Sequence, residues 1–251
     1  MKNENIYLSV IIPCYNEESN IRLGALENVA HFLKKKDYSY EVVIVDDGST
    51  DESKNLIREF LMDHENFRLV TNKHLGKAGT VIEGVYQAKG EFVLFSDLDQ
   101  ATPIQMIDKL LPYFEKGYDL VIGSRKGRRK GAPLTRRLMA LGFMSIRNMI
   151  LNLGIDDTQC GFKAFTATSA KRIFSRLQIY KQSHLAVGST VTAGFDVELL
   201  FVAKTLGYKI AEVPVEWHYQ DTRRVSPLKD SWEGFLDLIK IRYNQMNGHY
   251  R

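Results

Sequence analysis

The stretch EFVLFSDLDQATP, residues 91–103, is an apolar run that ends in two acidic residues. Its first part is rich in strand-forming residues, and Thr102-Pro103 is typical of an N-cap followed by proline at the start of a helix. Side chains two residues apart on an extended chain point to the same face, so we expect Asp97 and Asp99 to share one space where the strand ends. Two like charges about 4 Å apart repel by about 4 kcal/mol at an effective dielectric of 20, so a cation is expected between them. The alternative is a plain capping turn, which explains Thr102 and leaves Asp97 unexplained.

The same alternation of strand and helix continues on both sides of this stretch. Strand-like runs occur at 7–12, 41–45, 67–70, 91–95 and 119–123, and apolar residues at helical spacing occur in 17–34, 51–64, 78–88 and 104–114. This alternation predicts an α/β fold with a mainly parallel central sheet and helices on both faces. The second half is less regular: we expect a basic loop, a helix over 134–153, a turn-rich DDTQCGF, and then helix, strand and helix. We predict a single domain over residues 1–251.

Composition limits the class of protein. The chain has 251 residues, 44% of them hydrophobic, and a net charge of +4, which fits a globular protein and argues against a dedicated nucleic-acid binder. The two cysteines, Cys14 and Cys160, are too few for a disulfide framework and fit a cytoplasmic protein. No segment has about 18 uncharged apolar residues, so we expect no transmembrane segment and only peripheral contact with the inner face of a membrane.

Polar clusters follow three of the predicted strands, at PCYNEE (13–18), VDDGSTD (45–51) and SDLD (96–99). In parallel sheets ligands bind beyond the carboxyl ends of the strands, where all three clusters fall. The carboxylates of Asp46 and Asp47 can accept from a base imide or a ribose hydroxyl. Tyr15 offers a ring for stacking. For each cluster the alternative is an ordinary strand-to-helix turn.

Taken together, these motifs carry a resemblance. IIPCYNEE, VDDGSTD, GKAG (76–79) and SDLD resemble, in order and spacing, the family 2 glycosyltransferases of the GT-A fold. Further on, GSRKGRRKG, DTQCGFKAF and VPVEWHY resemble the branch that contains dolichyl-phosphate β-glucosyltransferases and polyprenyl-phosphate mannosyltransferases. The resemblance covers most of residues 6–245. It implies a nucleotide-sugar-binding half over about 6–125 and an acceptor-binding, interfacial half over about 126–251.

The resemblance implies an inverting enzyme that moves a hexose onto a polyprenyl phosphate such as dolichyl or undecaprenyl phosphate. The hexose expected first is glucose, with UDP-glucose as the donor. The alternatives are a mannosyltransferase that uses GDP-mannose and a family 2 transferase with a soluble or glycan acceptor. From a different class comes a sugar-nucleotide-binding or nucleotidyltransferase module. A nucleotidyltransferase would normally have a glycine-rich basic loop after its first strand, where this chain has PCYNEE.

The resemblance also implies roles for individual residues. Asp97 and Asp99 match the D-x-D motif that holds Mg²⁺ or Mn²⁺ on the diphosphate, and both are expected to be catalytic. A related branch has a metal-binding Gln two positions after the second Asp, where this chain has Ala101, with Gln100 adjacent. The residues expected to bind the nucleotide sugar are Pro13, Tyr15, Asn16, Glu17, Asp46, Asp47, Lys77 and Asp97.

The acceptor site is expected in the second half. The family pattern implies that Arg125, a third catalytic candidate, binds the acceptor together with Arg136, Arg137, Asp157, Gln159 and Lys163. An arginine fork suits phosphate oxygens, and seven Lys or Arg with no acid lie between Arg125 and Arg137. A solvated basic loop is the alternative. A lipid phosphate is already anionic and needs no general base. One of Asp196 and Glu198 is expected to reach the site.

Two amphipathic stretches are candidates for a membrane surface. In 134–153 a wide apolar surface is interrupted by Arg136, Arg137 and Arg147, charges that forbid spanning and suit an interface. In 228–246 one apolar stripe lies beside Lys229, Lys240 and Arg242 and consists of Trp232, Leu236, Ile239, Tyr243 and Met246. Packing on the sheet is the alternative for both helices. We favour a position on the membrane surface for the helix over 134–153 and leave both alternatives open for the helix over 228–246.

Overall fold

A computed structural model of the chain describes residues 5–125, 134–180, 193–218 and 227–250. Within these residues one sheet contains strands β1 (Leu8–Cys14), β2 (Tyr40–Asp46), β3 (Phe67–Thr71), β4 (Phe92–Ser96), β5 (Leu120–Ser124), β6 (Phe162–Thr166) and β7 (Ile210–Pro214). The strand order is β3-β2-β1-β4-β6-β5-β7. All five strands predicted with bounds form, and β7 is the further strand expected between two helices of the second half.

The sheet is mainly parallel, as predicted. Strand β1 runs parallel to β2 and β4, β2 to β3, and β5 to β7. Strand β6 is the exception, because it lies antiparallel between β4 and β5. The sequence did not predict β6. It is short, it follows a turn-rich segment, and its buried run FKAF contains a lysine, Lys163, which argues against a buried strand on composition alone.

Helices cover both faces of the sheet. They are α1 (Glu18–Arg22), α2 (Ala25–Leu33), α3 (Ser53–Leu61), α4 (Gly76–Gln87), α5 (Ile107–Leu110), α6 (Pro112–Glu115), α7 (Leu134–Leu151), α8 (Ala167–Arg176), α9 (Ala193–Thr205) and α10 (Pro227–Met246). The predicted helix over 17–34 is interrupted at Gly24, whose φ of 84° is left-handed. The predicted helix over 104–114 is a 3₁₀ turn followed by α5 and α6, because Pro112 has no N–H for the helical ladder.

Alternate residues of the strands point into two apolar layers. Val10 and Ile12 of β1 pack with α2, α3 and the short helices after β4, whereas Ile11 packs with α4, α8, α9 and α10. A Cβ at Gly84 of α4 would overlap the side chain of Ile11, so the glycine allows this helix to lie close to the sheet. Close packing on both faces leaves the carboxyl ends of the strands as the open edge.

Candidate active site

The loops after β1 and β2 are joined to each other at the carboxyl edge of the sheet. Asn16 donates its backbone N–H to Ser49 Oγ at 3.0 Å and accepts from the Thr50 N–H through Oδ1 at 2.8 Å. Glu17 donates its backbone N–H to Ser53 Oγ at 2.8 Å. Asn16 has a φ of 52°, which asparagine tolerates better than most residues. The Ser49 hydroxyl, the Thr50 N–H and the Ser53 hydroxyl at the start of α3 therefore hold the PCYNEE loop in place.

The two adjacent carboxylates that end β2 have different surroundings. Asp47 is buried and accepts from the Leu75 N–H at 2.7 Å and the Gly76 N–H at 2.8 Å, which are donors at the start of α4. Asp46 accepts from the Ser49 N–H at 3.2 Å through Oδ1, and its buried Oδ2 has no hydrogen-bond partner among the described residues. Direct nucleotide contact, predicted for both, does not fit Asp47, because its oxygens are engaged in holding α4. Asp46 keeps an unpartnered acceptor.

Tyr15 is stacked on a histidine that the sequence did not identify. The rings of Tyr15 and His74 have centroids 4.2 Å apart and an interplanar angle of 19°. His74 Nδ1 lies 2.9 Å from Asp47 Oδ2. Pro13, in β1, pairs in register with Val45 and is half-buried. The predicted stacking on a base would therefore use the ring face of Tyr15 opposite His74.

Asp97 and Asp99 follow the last residue of β4, Ser96, and lie in a turn. The prediction that Asp97 and Asp99 lie on one face of an extended strand is therefore wrong. The turn nevertheless brings the two carboxylates close together. Burial, and next the negative charge of Asp97, raise the pKa of Asp99 to about 6. Asp99 Oδ1 also accepts from the Ala101 N–H at 2.9 Å. The two carboxylates are therefore close enough for each negative charge to act on the other.

The side chain of Gln100 stabilises this turn. Its Nε2 donates to the Asp97 backbone carbonyl at 2.9 Å, and its Oε1 accepts from the Ile104 N–H at 3.0 Å. The oxygen that a metal would need is thus engaged in a backbone hydrogen bond. Gln100 acts here as a local cap of the following helical turn.

A lysine from α4 already faces the carboxylate pair. Lys77 Nζ lies 2.6 Å from Asp97 Oδ1, and both side chains are about one-third exposed. Burial on its own would lower the pKa of Lys77, but the charges of Asp97 and Asp196 outweigh it and raise the pKa. Lys77 is therefore an ammonium ion held at the D-x-D motif.

The carboxylate pair fits a divalent cation that is shared with a substrate. The described residues contain no cluster of three or more His, Cys, Asp or Glu side chains able to hold a metal. Mg²⁺ commonly takes one or two carboxylates and completes its shell with substrate phosphates and water. A Cβ at Gly161 would overlap the Asp97 carboxylate, so the glycine leaves that carboxylate room. Asp97 and Asp99 suit a metal that binds together with a diphosphate.

Arg125, directly after β5, is held by the turn that precedes β6. Its Nε and Nη2 each donate to the Asp157 carboxylate at 2.7 Å, and its backbone N–H donates to Asp157 Oδ2 at 2.8 Å. The turn is itself anchored, because Glu212 of β7 accepts from the Asp156 and Asp157 N–H groups, both at 2.9 Å. The guanidinium carbon lies 5.6 Å from the ring centroid of Trp217. The forked guanidinium of Arg125 is thus held in one orientation by Asp157.

Lys163 does not line an open pocket. Its side chain is fully buried, with Nζ 2.5 Å from Asp196 Oδ1 and a further hydrogen bond to the Cys160 carbonyl. The predicted acceptor contact does not fit this burial, because no part of the side chain is accessible. Asp196 is the acid of α9 that approaches the site. Glu198 points elsewhere and accepts from the N–H groups of residues 178 and 179 and from the Tyr250 hydroxyl.

The remaining predicted acceptor residues are described only in part. Gln159 is half-buried in the same turn, where its N–H donates to Asp157 Oδ1 at 3.3 Å. Arg136 and Arg137 lie on α7, but their side chains, like the basic loop 126–133, are outside the described residues. Sequence reasoning missed His74 and Glu212. An acidic residue inside a predicted strand was the available signal for Glu212.

Comparison with known proteins identifies the family. The model of glycosyl transferase family 2 matches residues 9–174. The dolichyl-phosphate beta-glucosyltransferases of Dictyostelium discoideum and Saccharomyces cerevisiae are each 34% identical over 99% of this chain and 77% and 78% of their own length. The Homo sapiens protein of that name is 31% identical over 97% of this chain and 77% of its own.

Solved structures show the same fold. Glucosyl-3-phosphoglycerate synthase of Mycobacterium tuberculosis, solved with uridine diphosphate, superimposes with a TM-score of 0.67 at 19% identity, over 95% of this chain and 80% of that one. This likeness confirms the predicted GT-A architecture. Since the family model matches more than half of the sequence, and the relatives align along nearly all of it, this chain belongs to glycosyl transferase family 2.

Proposed function

We propose that this enzyme transfers glucose from UDP-glucose onto a polyprenyl phosphate such as dolichyl phosphate, with inversion at the anomeric carbon. The observation that carries the proposal is the nearly full-length similarity to proteins named dolichyl-phosphate beta-glucosyltransferase. The geometry supports it, because two carboxylates and an oriented arginine fork follow β4 and β5 at the same edge of the sheet.

On the donor side, Asp46 would recognise the base. Its Oδ2 is buried without a partner in the segments that the structure describes, and leaving an acceptor in that state costs about 1–3 kcal/mol. The imide N–H of uracil would satisfy it. Tyr15 would pack against the base, while Glu17, fixed by its bond to Ser53, would accept from the ribose. Asn16 and Pro13 would shape this loop.

Asp97 and Asp99 would hold Mg²⁺ or Mn²⁺ next to the diphosphate. When bound, the cation offsets the charge that develops on the leaving nucleotide diphosphate. The M. tuberculosis neighbour, at 18% identity and a TM-score of 0.62, was solved with Mn²⁺ and uridine diphosphate, which supports the use of a divalent cation.

On the acceptor side, Arg125 would bind the lipid phosphate. Asp157 occupies Nε and Nη2, so Nη1 is the part of the guanidinium suited to a phosphate oxygen. Because that phosphate is anionic at neutral pH, it needs no general base before it attacks the sugar carbon from the face opposite the diphosphate. Arg136 and Arg137 would add charge, and the buried Lys163 would position Asp196 rather than touch the acceptor.

The lipid acceptor requires contact with a membrane surface, and α10 offers a suitable face. No described helix has both the length and the apolar character to cross a bilayer. Yet all five members of the predicted α10 stripe are exposed, including Trp232 at 63%, Tyr243 at 65% and Met246 at 77%. Aromatic and apolar side chains flanked by the exposed cations Lys240 and Arg242 suit the interface of an anionic membrane.

Helix α7 packs beside α10 and would extend this surface. Ile146 and Met149 of α7 are exposed, whereas Leu151 is buried. Arg147 is also buried, where it donates to Thr158 Oγ1 at 2.8 Å, so the expectation that it is a solvated interfacial charge is wrong. The surface that supports peripheral membrane binding thus combines the last half of α7 with the α10 stripe.

The transferase proposal is tested with purified enzyme, a short-chain polyprenyl phosphate and labelled UDP-glucose or GDP-mannose. We expect transfer from UDP-glucose that excess EDTA removes and Mn²⁺ restores, with a β-linked product in the anomeric proton NMR signal. Equal or faster transfer from GDP-mannose would overturn the donor assignment. Transfer to a soluble sugar but not to the lipid phosphate would overturn the acceptor assignment.

The membrane proposal is tested by sedimentation with phosphatidylcholine vesicles with and without phosphatidylserine. Changing Trp232 and Tyr243 together to Glu should weaken binding to anionic vesicles by about tenfold or more. The matched control changes Leu23 and Met62 to Glu, two exposed apolar residues in the turns that end α1 and α3, which are helices of the opposite face of the sheet. If both pairs bind alike, α10 is not the docking face.

A further inference from the structure

The ion pair between Lys77 and Asp97 lies where the proposed function needs a metal. Lys77 Nζ is 2.6 Å from Asp97 Oδ1, and the side chains are 31% and 35% exposed. The neighbouring pair of Lys163 and Asp196 differs, because Lys163 is fully buried and its ammonium also donates to a backbone carbonyl. One pair is locked in the core and the other is open to solvent, so only the pair at Asp97 is accessible to an ion from solution.

The charges around Asp97 favour an exchange when a cation and a diphosphate arrive together. Lys77 is paired with Asp97, and the negative charges of Asp196 and Asp99 also act on its ammonium group. A divalent cation at Asp97 and Asp99 would add two positive charges beside this ammonium, and a diphosphate that arrives with the cation would bring negative charge with which the ammonium can pair. The lysine is then better placed on the diphosphate than on the carboxylate.

The backbone around Lys77 is fixed, while its side chain can move. Lys77 is the second residue of α4, whose first N–H groups are held by the buried carboxylate of Asp47. A lysine has a flexible four-carbon stem and three donors, so its ammonium can change partner without any movement of the helix. Two cations at one carboxylate oxygen would repel each other, which gives the exchange its direction.

We infer that Lys77 competes with the metal for the Asp97 carboxylate and moves from Asp97 to the donor diphosphate when the cation and the nucleotide sugar bind. Lys77 is thereby a built-in competitor of the metal in the absence of donor and a ligand of the leaving group in its presence. This inference rests on the proposed function for the metal role of Asp97 and Asp99. It makes cation binding and donor binding mutually dependent.

The test measures Mn²⁺ binding to the full chain by electron paramagnetic resonance of free Mn²⁺, with and without UDP. Lys77→Met keeps the stem and removes the charge. Without UDP we expect this variant to bind Mn²⁺ about fivefold to tenfold more tightly than wild type, because the competing ion pair is gone. With UDP the advantage should shrink or reverse, and turnover should fall. Thermal unfolding verifies that the variant is folded.

Lys73→Met is the matched control, since Lys73 is an exposed lysine in the loop before α4 and the charge change is the same. If Lys77 exchanges partners as inferred, Lys73→Met should have little effect on Mn²⁺ binding. If Lys77→Met binds Mn²⁺ no more tightly than Lys73→Met without UDP, Lys77 does not compete with the metal and the inference is overturned. If wild type binds no Mn²⁺ even with UDP, the metal role in the proposed function fails as well, so the two failures are distinguishable.

Discussion

Removing either partner of the Arg125–Asp157 pair should destabilise the protein and impair acceptor binding, and the two effects can be measured separately. The two side chains are 16% and 6% exposed and share two hydrogen bonds of 2.7 Å. Truncating one partner of such a buried pair costs about 3–5 kcal/mol, because the other charge is left uncompensated. Arg125→Met and Asp157→Leu should each lower the free energy of unfolding by that amount. Together they should cost far less than the sum of the two, since no charge remains buried.

The assay is urea unfolding of the two single variants, the double variant and wild type. Asp157→Asn is the matched control, because it keeps an acceptor for the Arg125 N–H while it removes the charge. In steady-state kinetics, Arg125→Met should raise the KM for polyprenyl phosphate by about 10- to 150-fold, which corresponds to a lost charge-assisted contact of about 1.5–3 kcal/mol, and leave the KM for UDP-glucose nearly unchanged. A coupling energy below about 0.5 kcal/mol would refute the reasoning on the pair. Equal effects on donor and acceptor would place Arg125 on the diphosphate.

The other predictions concern single carboxylates. Asp99→Asn should reduce turnover by at least about 100-fold with an unchanged melting temperature, and full activity of wild type in excess EDTA would contradict it. Asp47→Ala should lower the unfolding free energy by about 2–4 kcal/mol, as judged by urea titration, because it removes the acceptor that holds α4. Asp46→Ala should instead weaken UDP binding in calorimetry with a smaller loss of stability. Burial raises the pKa of Glu198, so the folded state holds this proton more tightly, and the stability Glu198 contributes is lost as the pH rises through its folded pKa. Glu198→Gln should therefore gain stability relative to wild type as the pH rises above the unfolded glutamate pKa of about 4.3, and parallel pH profiles would refute this.

Strand positions and the functional edge were predictable because they depend on local patterns. The apolar runs that became β1, β2 and β4 are each followed by polar clusters, and parallel strands bring their carboxyl ends to one edge. The fold class and the family were predictable from the motifs because each motif is also a local pattern. The apolar stripe of α10 was visible in the sequence as a periodicity, but whether it is exposed or buried depends on packing. Only the tertiary structure shows that the stripe is exposed and that the opposite side of α10, which includes Leu238 and Ile241, is buried.

Side-chain partners were harder to predict, since they depend on contacts between distant segments. Adjacent acids such as Asp46 and Asp47 look equivalent in sequence, and both are buried. Asp47 nevertheless accepts from the N–H groups of residues 75 and 76 at the start of α4, whereas one oxygen of Asp46 has no hydrogen-bond partner in the described part of the chain. Lys163 was expected at the acceptor because its motif is near the site. Its burial follows from the strand it lies in, whose alternation points it towards Asp196 in the core.

The antiparallel strand β6 explains how the two halves of the sequence meet at one site. Because β6 runs opposite to β4, its first residue, Phe162, pairs with Ser96, the last residue of β4. The turn before β6 therefore lies at the carboxyl edge, where Gly161 approaches Asp97 and Asp157 meets Arg125. A parallel strand in this position would carry that turn to the far edge of the sheet. Since β6 separates β4 from β5, the residues that follow those strands are two strand spacings apart, about 10 Å. That spacing separates the carboxylates proposed to hold the metal from the arginine fork proposed to bind the acceptor phosphate, and the turn before β6 contacts both of them.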